Sequence, residues 1–255
     1  MKPSILILTS IVTTLVFCNC SSTEFAPENS HFLQQASRLQ AAEDVPFKKS
    51  WRSPDLDWSQ YNKVVIAATS LDHLRHSPDI EGDPHRKAAR NDAAETLAEF
   101  AEAQFINTFT NDKKQRFEVV ESPGPNTLSC EVAITEFAPT KPLVNTAATA
   151  AGLAGSAMKE ITMNAGGTVA KSTSRGVIAV EVQFKDTQTG KTVFMFADRE
   201  RGRPSLVNIK DFQKLGHAKA HIKTWAKQTL AVIHKKPLQR ILDPLPVDLN
   251  GSLAL

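Results

Sequence analysis

From Ile5 to Phe17 the chain carries no charge and is dominated by Ile, Leu and Val. Lys2 precedes this run, and Cys18-Asn19-Cys20 followed by Ser21-Ser22-Thr23 ends it. A basic start, an apolar stretch of about 7–15 residues and an abrupt polar switch are the marks of an export signal. A bilayer span needs roughly 20 apolar residues, so the run is too short to cross a membrane as a helix. Ser21 to Ser50 is polar and mixed, with one helical patch from Phe32 to Ala42, and reads as a tether over residues 21–50.

Beyond the tether the pattern predicts a folded domain over residues 51–235. Pro54, Asp55 and Asp57 punctuate its start. Lys63 to Ala68 is a short continuous apolar run, which suits a strand buried on both faces. Lys87 to Thr110 has helical spacing, with Ala93, Leu97, Phe100, Ala101, Phe105 and Phe109 on one side. Phe117 to Val120 predicts a second strand, closed by Ser122-Pro123-Gly124-Pro125. Leu128 to Phe137 alternates with period two and predicts a third. Gly176 to Lys185 predicts a fourth, with Ile178, Val180, Val182 and Phe184 inward and Glu181, Gln183 and Lys185 outward. Asp186 to Gly190 turns into a fifth, Lys191 to Asp198. A last helix is expected from Asp211 to Ile233, burying Leu215, Ala218, Ile222, Trp225, Ala226, Thr229 and Ile233. Residues 236–255 hold three prolines and no period, and read as a flexible tail. Together these elements predict an α+β fold: a mixed, mainly antiparallel sheet of about five strands with two helices packed on it.

Some of these segments carry a family resemblance. Ser53 to Ile66 (SPDLDWSQYNKVVI) and Glu118 to Thr146 (EVVESPGPNTLSCEVAITEFAPTKPLVNT) resemble the opening strand and central motif of the bacterial lipoprotein family of domain of unknown function 3313. Ala197 to Gly202 and Leu215 to Trp225 are similar to its end. The resemblance spans Ser50 to Ile233 and aligns Glu136, Pro139, Pro142 and Asn145 with its recurring acidic, proline and asparagine positions. The chain departs from the family at His217, where an acidic residue is usual, in a longer loop around His73 to His85, and in its tail. The family has no established activity, so the resemblance implies fold and location only.

A cysteine at the end of an export signal is the acylation site of a lipoprotein, carrying chains such as palmitate. Cys20 and Cys18 both qualify by position. The small pocket before the acylated cysteine excludes Phe17 and tolerates Asn19, which favours Cys20, with residues 1–20 as signal peptide. An ordinary signal peptide cut after Ser21 or Ser22 is the alternative. Two or more acyl chains hold a protein stably on a bilayer. No Asp follows Cys20, so the expected location is the outer membrane, periplasmic face.

The chain is 255 residues long and 41% apolar, enough for one real core. A net charge of +3 without a basic cluster gives no case for nucleic acid. Cys130, the last thiol, has no partner for an internal disulfide and alternates with apolar residues, so it reads as a small buried hydrophobe.

Few constellations suggest chemistry. His73, His76, Asp79, Glu81, Asp83 and His85 crowd one loop with imidazole and carboxylate groups that suit a divalent ion. Their spacing matches no named site, so the loop reads as solvated and no cofactor is expected; His73, His76, Asp83 and His85 are the weak metal candidates. His217 and His221 lie four apart on the last helix and read as exposed. No Gly-x-Ser-x-Gly, phosphate-cradling loop or Cys-x-x-Cys is present. Asp198-Arg199-Glu200-Arg201 reads either as a charged edge strand or as a polar binding rim, with Glu136, Asn145, Asp198, Arg199 and Arg201 its members. Leu143 to Met158, rich in Ala and Gly, reads as a helix covering the sheet or as a close-packing seam with a partner. The sequence thus predicts a non-enzymatic envelope lipoprotein that binds or assembles with an unknown envelope protein. The alternatives are a subunit of an oligomeric export or assembly machine, possible as a homo-oligomer, and a metal-dependent envelope enzyme.

Overall fold

The computed structural model describes residues 29–75, 84–139, 176–201, 215–236 and 238–242. Six strands form one sheet: β1 (Lys49–Arg52), β2 (Lys63–Ile66), β3 (Glu118–Val119), β4 (Thr127–Ala138), β5 (Val177–Asp186) and β6 (Thr192–Arg201). The two helices are α1 (Pro84–Thr110) and α2 (Gly216–Ile233). The sheet order is β1-β6-β5-β4-β2-β3. The β1–β6, β6–β5 and β5–β4 pairs are antiparallel, and β2 runs parallel to both β4 and β3. The α+β architecture follows the hydrophobic pattern. The strand added to the expected five is β1.

Both helices pack on one face of the sheet. On α1, Leu97, Ala101, Phe105 and Phe109 are buried as their spacing predicts, while Ala93 and Phe100 lie at the flank. Lys219 and Lys223 of α2 lie over the Phe100 ring. Pro84 opens α1 at a position where its missing N–H costs nothing. On α2, Ile222, Trp225, Ala226, Thr229 and Ile233 are buried. The sheet answers with Leu128, Cys130, Val132, Ile134, Val180, Val182, Phe184, Phe194 and Phe196. Cys130 is fully buried there, and burial pushes its thiol pKa up. No helix among the described residues is long and apolar enough to cross a membrane.

The sheet's opposite face holds the departures from expectation. Glu181 and Gln183, expected outward, are 1% and 4% exposed. The cause is the chain before β1. Over its described part, the stretch expected as a tether packs on the domain: Leu33 is 1% exposed and Phe47 3%. The expected helical patch is only a short 3-10 turn, Ala36–Arg38. Phe47, by contrast, lies on the helix side, where it stacks on Phe196 at 3.7 Å between ring centroids, and Lys49–Arg52 pairs with Phe194–Ala197. β6 is therefore an interior strand over those residues, with β1 outside it. The tail is also drawn in where it is described, since the Ile241 N–H donates to the Asp44 carbonyl. In β2 only Val64 is fully buried, because that strand has the two-residue β3 as its outer neighbour.

Candidate functional site

A carboxylate held by arginines lies on the far face, at the end of the sheet where β4 and β6 finish and β5 begins. A bulge sets it up. Ile134 pairs with Val180 and Glu136 with Ala179, so Thr135 is an extra residue in β4. Strict alternation would put Glu136 on the helix side with Val132 and Ile134. The extra residue restores Phe137 to the helix side and turns Glu136 to the far face. Bulges commonly re-aim side chains in this way.

Glu136, Ala179 and Arg199 form one row across β4, β5 and β6. Two strand spacings separate the outer two, roughly 9–10 Å. Ala179 has too little side chain to block the way, so the long Arg199 side chain reaches over it. Arg199 Nε donates to Glu136 Oε2 at 2.7 Å and Nη2 to Oε1 at 2.8 Å, a bidentate, charge-assisted pair. Arg75 Nη2 reaches Oε2 at 3.4 Å from the loop after β2, whose backbone bonds to β4 through Arg75 N–H and Thr135 C=O. Arg90, 3% exposed on α1, donates to the carbonyls of Phe137 and Arg75 and so braces that loop. Burial pushes the Glu136 carboxyl pKa up. The Arg199 hydrogen bond and the charges of Arg199, Arg75 and Arg201 outweigh burial and hold it below the usual range.

The expected rim is thus divided. Glu136 and Arg199 meet, and the charge of Arg201 reaches Glu136. Asp198 pairs with Val180 and belongs to the helix side. There it is 3% exposed and accepts the Trp225 indole N–H at 2.8 Å. Asp198 therefore serves the docking of α2 and is not a rim residue. Asn145, Cys20 and Leu143–Met158 lie outside the described residues.

The histidine loop is likewise only partly described. His73 Nδ1–H donates to the Ser30 carbonyl at 3.1 Å, and Phe32 lies edge-on to its ring. His85 is exposed in the first turn of α1, while His76, Asp79, Glu81 and Asp83 lie outside the described residues. Among the described residues, no group of three or more His, Cys, Asp or Glu is placed to hold a metal ion. His217 and His221 line a small cleft with Glu200 and Pro139, and His221 lies 6.0 Å from the Trp225 ring.

Sequence reasoning missed Arg75, Arg90 and Glu181. Glu181 reads as an ordinary outward charge of an alternating strand, yet it accepts from Ser30, 151 residues away. Nothing local signals that partnership.

A family model matches residues 28–229. The chain belongs to the family described as protein of unknown function, DUF3313. The family's span takes in Ser30, the Glu136 network and Trp225 together. No curated protein matches the chain in sequence. Two solved structures are similar in part: a single-substitution variant of the PelC dodecamer from Paraburkholderia phytofirmans, with TM-score 0.38, and a PelC dodecamer from the same organism, with TM-score 0.37. Each is 12% identical over 73% of this chain, covering 95% and 96% of the respective PelC chain. Likeness of that degree carries no argument about this chain.

Proposed function

We propose that this DUF3313 chain is an outer-membrane lipoprotein, acylated on Cys20 at the periplasmic face, whose domain binds or assembles with another envelope component and catalyses no reaction. The observation that carries the reading is the uncharged Ile5–Phe17 run ending at Cys18-Asn19-Cys20. The chemistry of the described groups supports a binding role. Glu136, its pKa lowered and both oxygens engaged by arginine, is a poor general acid or base near neutral pH. The Cys130 thiol is buried and held protonated, which removes its nucleophilicity. The partly exposed Glu136–Arg199 pair, fixed by two short charge-assisted bonds, is a polar group suited to recognising a partner. Fractionation of cells expressing Cys20→Ala and Cys18→Ala chains tests the anchor. Cys20→Ala should leave the membrane fraction and Cys18→Ala should stay. The reverse result overturns the assignment. Cross-linking of the lipidated chain in its own membranes, with and without Arg199→Ala, tests whether a partner meets the end of the sheet at Glu136.

A further inference from the structure

The chain before β1 is fastened to the far face from Ser30 to Leu33. Glu181 accepts the Ser30 N–H at 3.2 Å, the Ser30 hydroxyl at 2.7 Å and the Leu33 N–H at 3.3 Å. His73 donates to the Ser30 carbonyl from the other side. Glu181 pairs with Ala133 and Ala197, which places it on the face away from both helices. Every polar backbone group of Ser30 is thus engaged, and Leu33 is buried three residues on.

Resting on the Cys20 lipid proposed above, we infer that this clasp makes the far face the membrane-facing surface of the domain, opposed to a layer of phospholipid headgroups. The argument is one of reach. Ten residue steps separate Cys20 from Ser30. Whatever path they take, they span at most ~35 Å. A compact domain of ~200 residues has a radius of gyration near 16 Å, hence a radius of about 21 Å. For the helix layer to face the bilayer, the linker would have to run a quarter of the way round the domain and then down to the lipid. That path is over ~50 Å for such a radius, beyond the linker's reach. An edge-on domain needs a quarter turn of ~33 Å, which leaves the linker almost fully extended, whereas with the far face toward the membrane the path is short and the chain keeps its conformational freedom. A free tether ending near β1 would impose no such limit; the clasp on Ser30 does.

The test uses the full, lipidated chain in vesicles of phosphatidylethanolamine and phosphatidylglycerol that contain a nitroxide-headgroup lipid. Cys130 is buried, so a single introduced cysteine takes the fluorophore. Gln34→Cys places it beside the clasp and Ala103→Cys on the outward side of α1, both at exposed positions. The headgroup nitroxide should quench the dye at 34 severalfold more than the dye at 103. Glu181→Gln should reduce that difference. Inserting about twenty Gly and Ser residues between Ser22 and Thr23, which leaves the domain untouched and adds up to ~70 Å of reach, should abolish it. Equal quenching at 34 and 103 in a chain whose Cys20 is acylated by mass spectrometry overturns the orientation alone. An unequal pattern that survives the insertion overturns the short linker as its cause. A Cys20 without acyl chains overturns the anchor and this inference together.

Discussion

Strands β4, β5 and β6 present two faces built on different principles. Toward the helices they offer Phe184, Phe194, Phe196 and a row of aliphatics, held by packing. Away from the helices they offer Glu136, Glu181, Glu131 and Arg199, held by directional bonds. Asp198 and Arg199 are chain neighbours divided by this boundary: one braces Trp225, the other grips Glu136. The apolar face supplies stability in proportion to buried area. Ion pairs contribute less net stability, because desolvation offsets much of their attraction. What the charged groups fix is position: Glu136 where the Arg75 loop comes to rest, and Glu181 where the Ser30 segment does. The lesson is that the helix face makes the fold and the far face orders what is attached to it.

Trp225→Ala is the strongest way to break that contrast. Losing a buried Trp costs ~3–5 kcal/mol, a large share of a domain's ~5–15 kcal/mol. It also strands Asp198 in the core without its indole donor. The expected outcome is an insoluble or molten domain. Trp225→Phe keeps most of the ring, loses the hydrogen bond and should fold with lower stability in urea. A Trp225→Ala chain that melts within a degree or two of the parent would remove the helix face from its leading role.

Leu33→Ala probes the thin layer over the other face. Buried Leu→Ala changes cost ~2–5 kcal/mol. The expected loss is near ~2 kcal/mol, because a surface layer collapses into the gap more easily than a deep core does. Hydrogen exchange should speed up over residues 30–40 and leave α2 protected. Equal loosening of α2 would show that the two faces unfold as one.

The legible parts of this fold are those with a local period. β4, β5, α1 and α2 announce themselves because their inward residues recur at two or at three to four positions, and Asp186 to Gly190 is a readable turn. β1 was not legible: four residues with one buried position carry too short a pattern. The site was half legible. Its charges stand out in the sequence, but the Thr135 bulge shifts β4 by one residue, and alternation alone cannot show that Glu136 and Asp198 fall on opposite faces. Arg90 acts through backbone carbonyls 15 and 47 residues distant and Arg75 through a carboxylate 61 residues distant, beyond any local signal.

Glu136→Gln sharpens the comparison through pH. The folded pKa of Glu136 is lowered, so its contribution is complete above the unfolded value of ~4.3 and shrinks as pH falls below it. The contribution is gone once pH passes the lower folded value. Gln keeps the shape, removes the charge and sets an amide N–H against a guanidinium, at a cost of ~1–2 kcal/mol near neutral pH. Urea titrations should show the parent and Glu136→Gln converging as pH drops below 4. A constant gap at every pH would place the stabilising charge elsewhere.

The smallest effect is expected at the other end of the same face. Lys185 Nζ lies 2.8 Å from Glu131 Oε2, almost the 2.7 Å between Arg199 and Glu136. Distance alone would rank the two pairs together. Exposure separates them. Both side chains of the Lys185 pair are 27% exposed, against 14% for Arg199 and 22% for Glu136. Lysine also offers a point charge on a flexible stem, where Arg199 offers a two-bond fork. Solvent and salt screen such a pair to less than ~1 kcal/mol. Lys185→Met, which keeps the apolar stem, should therefore change stability by no more than ~0.5 kcal/mol, and raising the salt concentration should erase the difference. A loss as large as that of Glu136→Gln would mean that the whole far face acts as one coupled network, with its strength spread beyond the bulge at Thr135.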